Sequence, residues 1–303
     1  MKEYHFIQAD VFTDRPFTGN PLAILPDADG LSTEEMQAIA QEMNLSETAF
    51  VLTATDLKAQ FRLRIFTPSS ELPLAGHPVV GTCFILAERG VIPLEEGSNR
   101  IHQECGAGVL PVDILVKDGK VDQVIMTQSP PRFFDEYTDR KLLADSVGLP
   151  EDQLLPDGLP AQVVSTAFPQ LMVPSRSLRH LDKIELDLVA MRQVLATTRS
   201  DSFMIFTREC VHDESTVHAR MFAPTVGVVE DPATGSASGA LGAYLVRHNI
   251  VEADPTAHIL VEQGYEMGRP STIHVEVDCD EHGPSDVRVG GKAVEVASGT
   301  LRF

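Results

Sequence analysis

Two stretches of this chain share one polar and apolar rhythm. Gln60-Phe61-Arg62-Leu63-Arg64-Ile65-Phe66 alternates residue by residue, and Thr216-Val217-His218-Ala219-Arg220-Met221-Phe222 does likewise, the period-two pattern of a half-buried strand. A loop punctuated by Pro and Gly follows each strand, and then an apolar segment of helical length, Pro78 to Arg89 and Ala237 to His248. Both segments are apolar around most of their circumference, which predicts helices buried on all sides. Pro78 suits a first helical turn, and Ser236 suits the N-cap of the second helix. With strands on either side in sequence, each half of the chain predicts a curled sheet about a central helix. Elsewhere, Ser32 to Met43 reads as an amphipathic helix and Leu178 to Leu195 as one helical stretch. Val112 to Val116 reads as a strand leading into the turn Lys117-Asp118-Gly119-Lys120. The paired prolines of Gln128-Ser129-Pro130-Pro131-Arg132 mark a junction. The expected domains are 1–127 and 128–303, with the last strand free to return to the N-terminal one.

The shared rhythm is part of a longer repeat. Arg64-Ile65-Phe66-Thr67-Pro68 returns as Arg220-Met221-Phe222-Ala223-Pro224, 156 positions on. Glu71-Leu72-Pro73-Leu74-Ala75-Gly76 returns as Glu230-Asp231-Pro232-Ala233-Thr234-Gly235, 159 positions on, so the later copy carries a three-residue insertion. A weaker echo relates Glu47-Thr48-Ala49-Phe50-Val51 to Ser200-Asp201-Ser202-Phe203-Met204 at an offset of 153. Near-constant offsets of about half the chain imply tandem duplication of one fold.

Composition narrows the function classes. The chain has 303 residues, enough for two domains, and its 24 basic against 44 acidic residues give a net charge of −20. Such a charge repels phosphate backbones, so neither nucleic acid nor an anionic membrane is an expected partner. No apolar run reaches the roughly 20 residues that span a bilayer, and residues 1–7 lack the apolar stretch of a signal peptide, so the expected location is the cytoplasm. Cys83, Cys105, Cys210 and Cys279 are scattered, which suggests neither a disulfide framework nor a zinc site. His212 and His218 flank Asp213 and Glu214 at no standard ligand spacing and read as a solvated loop.

The repeated loops are the places where chemistry could collect. Helices preceded by Gly76-His77 and Gly235-Ser236 would present free backbone N–H groups and a positive dipole end. Two such ends facing each other would suit a carboxylate, although each glycine alone also reads as a tight turn. His77 is an imidazole at the mouth of the first helix, and Asp231 a carboxyl in the second loop; alone, His77 reads as a cap or surface residue and Asp231 as a turn residue. Glu47 precedes an apolar strand, where it is either a solvated strand end or a half-desolvated base.

Together these strings carry a family resemblance. Phe17-Thr18-Gly19-Asn20-Pro21, Ser46-Glu47-Thr48-Ala49-Phe50-Val51, Phe66-Thr67-Pro68, Glu71-Leu72-Pro73-Leu74-Ala75-Gly76-His77-Pro78 and Glu230-Asp231-Pro232-Ala233-Thr234-Gly235-Ser236-Ala237 resemble, in order, the signatures of the phenazine-biosynthesis F-like (PhzF-like) family. The resemblance implies an α+β, diaminopimelate-epimerase-like fold of two pseudo-symmetric domains, each a β-barrel around a central helix. It implies a homodimer, no cofactor and no metal, with the site in the cleft and a small anionic metabolite as ligand. In the family's best-understood member the reaction is isomerisation of trans-2,3-dihydro-3-hydroxyanthranilate. The glutamate matching Glu47 moves the proton, residues matching His77 and Asp231 assist, and Gly76, Gly235, Ser236 and Asn20 belong to the binding positions.

Two decoys are set aside. Two-cysteine racemisation needs a cysteine in each loop, where this chain has Gly76 and Asp231. Glu104-Cys105-Gly106-Ala107-Gly108 looks like a cysteine loop but reads as lying outside both copies of the repeat, and Pro111 breaks its resemblance to a dinucleotide fingerprint. The alternatives to an isomerase are an epimerase using Glu47 with Asp231, and a metabolite-binding protein without catalysis.

Overall fold

The computed structural model describes residues 1–303, apart from the side chains of Asp157 and Val226. It forms two compact units, Met1–Thr127 with Gly290–Phe303, and Gln128–Val289.

In the first unit the elements run β1 (Glu3–Val11), β2 (Asn20–Leu25), α1 (Thr33–Met43), β3 (Glu47–Leu52), β4 (Phe61–Phe66), β5 (Glu71–Leu72), α2 (Gly76–Glu88), β6 (Gly97–Cys105), β7 (Gly108–Lys117) and β8 (Lys120–Thr127). Two crossovers create parallel pairs. One carries α1 between β2 and β3, which pair with Leu22 opposite Glu47, and the other carries α2 between β4 and β6. The remaining neighbours are antiparallel, and α2 packs against β1, β2, β3 and β8, so the sheet curls around it. That helix is buried from His77 to Ala87, as its all-round apolar surface requires. On the sheet's outer face, α1 buries Met36, Ile39 and Ala40 against Leu25, Phe50 and Phe66. Ser32 and Glu35 close a reciprocal capping box at its start. At the β7–β8 hairpin Asp118 and Gly119 both take positive φ (53° and 71°), the conformation a tight two-residue turn needs.

The second unit repeats this plan with β9 (Arg132–Tyr137), α3 (Arg140–Val147), β10 (Ala161–Ser165), β11 (Pro169–Pro174), α4 (Leu178–Leu181), α5 (Leu188–Thr198), β12 (Ser202–Thr207), β13 (Val217–Ala223), β14 (Val228–Asp231), α6 (Gly235–Arg247), β15 (Thr256–Gln263), β16 (Ser271–Asp280) and β17 (Gly283–Gly291), whose last two residues belong to the first unit. The closing strand β18 (Ala293–Arg302) belongs to the first unit, antiparallel to β1. Helix α6 packs on β10, β11, β15 and β16, while α3 and α5 cover the outer face of the sheet through Leu143, Met191, Val194, Phe203 and Phe222.

The repeated motif has a structural reason. Arg64 grips Glu71 with two hydrogen bonds of 2.7 Å and lies 5.1 Å over the Phe66 ring. Arg220 grips Glu230 at 2.8 and 2.9 Å and lies 5.0 Å over Phe222. Each planar guanidinium thus clamps a strand to the short return strand beyond it. The motif glutamates are structural.

Several expectations need correction. Both central helices start two residues early, at Gly76 and Gly235, so Ser236 lies in the first turn and the N-cap is Thr234. The stretch 178–195 is broken, and α5 starts afresh where the Asp187 carboxylate accepts from Val189 and Ala190. β13 is buried along its whole length, because α4 and the α3–α5 layer cover the face the alternation assigned to solvent. His218 is therefore not on a solvated loop. Its Nδ1 and Nε2 lie 3.0 Å from Glu262 and 3.1 Å from Glu266. Burial alone would lower its pKa, but the two carboxylates overcome this and hold it up at about 9.

Strand pairing also extends the repeat. Arg64 pairs with Phe50 and Arg220 with Ile205, while Leu22 pairs with Glu47 and Gln170 with Ser202. The structural counterpart of Glu47 is thus Ser202, at an offset of 155. Arg62 pairs with Glu104 and His218 with Glu262 in the matching parallel ladders. The Glu104 carboxylate accepts from the backbone of Thr55 and Asp56, and that of Glu262 from Val211 and His212. Glu104-Cys105-Gly106 therefore lies inside the duplication, matched by Glu262-Gln263-Gly264.

Candidate active site

In the first unit, parallel pairing sets the leading ends of β2 and β3 side by side. Glu47 opens β3, and Asn20, fully buried, opens β2 two residues before the Leu22 that Glu47 pairs with. The Glu47 side chain keeps 17% of its surface exposed, although its Oε2 is buried. His77 is the second residue of α2, and its Nε2 lies 3.5 Å from Glu47 Oε2. Burial pushes the imidazole down to about 3, so it is neutral near pH 7. A neutral imidazole can donate to a carboxylate or accept from a carboxylic acid, so it serves either state of Glu47. His77 Nε2 is buried and makes no hydrogen bond among the described residues. Glu47 and His77 are thus brought together, as a carboxyl beside an imidazole.

Gly76, immediately before His77, is not required by packing. A Cβ there would meet only Met126 Sδ, at 3.7 Å, an ordinary contact. The N-cap residue, Ala75, offers no side-chain hydrogen bond to the helix end. Backbone N–H groups at a helix start left to external partners suit an anion.

In the second unit Asp231 closes β14, and the Thr234 hydroxyl donates to its Oδ2. Thr234 precedes α6 without capping it, so this helix end too is uncapped by a side chain. Gly235 and Ser236 form its first two positions, and the Ser236 hydroxyl accepts from Gln170 Nε2 at 3.2 Å. Thus Asp231, Gly235 and Ser236 share one loop and helix start, as Gly76 and His77 share the other.

Sequence reasoning missed Gln170, Ser202 and Gln263, which hold this second loop and helix start. Gln170 bridges Ser202 and Ser236, and Gln263 binds both Asp231 and Thr234. The available signal was a lone amide within an apolar strand, Pro169-Gln170-Leu171-Met172-Val173 and Ile259-Leu260-Val261-Glu262-Gln263, where a buried polar group demands partners. Cys105 is buried, which pushes its thiol up, away from the thiolate a nucleophile needs. Among the described residues no three His, Cys, Asp or Glu side chains gather as metal ligands.

A curled α+β sheet about a buried helix, built twice, is the diaminopimelate-epimerase-like fold, shared with solved epimerase and racemase structures. A family model described as "Phenazine biosynthesis-like protein" matches residues 9–299. The chain belongs to this PhzF family, and it is an isomerase. It is 34% identical to an uncharacterized isomerase of Clostridium acetobutylicum, over 99% of both chains. It is also 34% identical to the trans-2,3-dihydro-3-hydroxyanthranilate isomerase of Pseudomonas aeruginosa, over 98% of both. A PhzF-family crystal structure from Bacillus anthracis covers 100% of each chain with a TM-score of 0.90 at 34% identity. No helix among the described residues is long and apolar enough to cross a membrane.

Proposed function

We propose that this isomerase relocates a proton on a small, carboxylate-bearing, unsaturated or cyclic metabolite without a cofactor, with Glu47 as the group that takes the proton and returns it. The observation that carries the reading is the Glu47–His77 pair, a partly exposed carboxyl side chain set 3.5 Å from an imidazole that burial keeps neutral. Abstraction beside an electron-withdrawing group develops negative charge, and uncapped backbone N–H groups at the helix starts would stabilise it. Glu47 removes the proton from one carbon as carboxylate and delivers it to another as carboxylic acid. His77 exchanges a hydrogen bond with either state. Asp231 assists, and Gly76, Gly235, Ser236 and Asn20 bind the anion. The reading includes a cytoplasmic homodimer; four unpaired cysteines fit a reducing compartment. The P. aeruginosa relative makes trans-2,3-dihydro-3-hydroxyanthranilate the first compound to try.

The test is proton-exchange NMR on candidate carboxylates in deuterated water, wild type against Glu47→Gln. Wild type should move the substrate proton and shift its double bond, and the variant should lose turnover while keeping its fold and ligand binding. Near-wild-type turnover by Glu47→Gln would end the assignment. Inversion at one carbon with no bond relocated would make the enzyme an epimerase instead.

A further inference from the structure

We infer that Gln263 is a positioning residue that fixes the Asp231 carboxyl, an inference that rests on Asp231 acting in the reaction proposed above. Gln263 closes β15 and is fully buried. Its Nε2 donates to the Asp231 carbonyl at 2.7 Å and to Thr234 Oγ1 at 3.1 Å. Its Oε1 accepts the Thr234 backbone N–H at 3.1 Å. The Thr234 hydroxyl accepts from Gln263, so its single proton is committed to Asp231 Oδ2. One amide therefore holds the backbone on both sides of the turn and, through one hydroxyl, sets the rotation of the carboxyl. Ser271 adds a bond to the Pro232 carbonyl at 3.1 Å, and Gly264 lets the strand end lie against Pro232, where a Cβ would come within 2.5 Å of the carbonyl oxygen.

The duplication supplies the control. At the three matching positions the first unit has Leu72, Ala75 and Cys105 in place of Asp231, Thr234 and Gln263. The close approach itself is kept, since a Cβ on Gly106 would lie 2.8 Å from Pro73 Cα. Packing of the loop thus needs no amide. Among the two copies, the tether exists where the loop bears a carboxyl and is missing where it bears leucine. A purely structural buried glutamine would have served both loops equally.

The experiment compares Gln263→Leu and the near-isosteric Gln263→Glu with wild type, alone and combined with Asp231→Asn. It uses trans-2,3-dihydro-3-hydroxyanthranilate as the probe and hydrogen exchange of the 231–236 segment as a second readout. Gln263→Leu should lower kcat about tenfold to a hundredfold while KM moves less than about threefold. In the Asp231→Asn background it should cost almost nothing more, and the Thr234 amide should exchange faster. Gln263→Glu keeps the acceptor for that amide but loses the donors to Asp231 and Thr234, so it should slow turnover while Thr234 stays protected. Additive losses with Asp231→Asn, or a Thr234 amide equally protected in Gln263→Leu, would overturn the inference. If wild type fails to turn the probe over while Gln263→Leu still loosens 231–236 alone, the substrate reading fails and the positioning role stands.

Discussion

The two copies of the duplicated module differ most where one would bear catalysis. In the first, Glu47 on the strand faces His77 on the helix start at 3.5 Å. In the second, the matching residues are Ser202 and Ser236, joined through Gln170 in a chain of neutral hydrogen bonds of 3.1 and 3.2 Å. The serine–amide–serine chain satisfies its groups on one another and holds nothing that titrates near neutral pH. The scaffold is repeated, and a titratable pair stands at one of the two matching positions. Substitution separates the copies sharply. Glu47→Gln should lower kcat by about a thousandfold, within the range that a positioned acid or base supplies. Ser202→Ala should change kcat by less than about threefold and act on stability, costing roughly 1 kcal/mol for its lost hydrogen bond. Steady-state rates with the probe above, beside urea unfolding, check both. A comparable rate loss in the two variants would erase the distinction.

This asymmetry was only half legible in the chain. The strands and central helices could be read because alternation, all-round apolarity and repetition agree, as at Gln60–Phe66 and Pro78–Arg89. The family resemblance put Glu47 and His77 in one site without pairing them, since nothing in spacing says that a strand end and a helix start 30 residues apart will meet. Both helix starts were placed two residues late because Ala75 and Thr234 do not cap them, so the cap signal fell on Ser236. The echo at offset 153 lay two residues from the pairing register of 155. Strand side chains repeat every two residues, so a two-residue slip keeps each on the same face and leaves no hydrophobic penalty to expose the error. Sequence alone sets Cys105 outside the repeat, because its counterpart Gln263 shares neither size nor polarity with it. The kinship lies in Glu104 and Glu262, whose shared partners are backbone N–H groups and therefore invisible in sequence.

Those two glutamates offer a second way to sharpen the contrast. Glu104 stands 3.7 Å from the Arg62 guanidinium, whereas Glu262 holds the buried His218. His218 has its folded pKa raised to about 9, above its unfolded value near 6.5. Its stabilisation is fully present below the unfolded value and is lost as pH rises from about 6.5 through 9. The loss should reach roughly 3 kcal/mol. Urea midpoints measured across that range should fall in wild type and stay flatter in His218→Gln, which is less stable at pH 6 but has no imidazole to deprotonate. Equal slopes in the two proteins would show that Glu262 and Glu266 do not hold this charge.

The smallest expected effect tests whether a glycine in the loop serves a ligand or the fold. Gly106 serves the fold, since a Cβ there would press on the Pro73 backbone at 2.8 Å, and backbone cannot swing aside. Gly106→Ala should therefore destabilise by about 1–3 kcal/mol, as overpacking does. Gly76 lies three residues beyond Pro73, in the same loop, yet has 3.7 Å of clearance to a flexible methionine sulfur. If packing alone fixed its identity, alanine would be accepted without cost to anything. If the substrate's anionic group reaches the backbone there, the added methyl stands in its way. Gly76→Ala should then leave the urea midpoint unchanged and raise KM about tenfold with kcat nearly intact, the pattern of lost binding common to ground and transition states. An unchanged KM would return Gly76 to the role of a simple turn residue and remove the first helix start from the binding site.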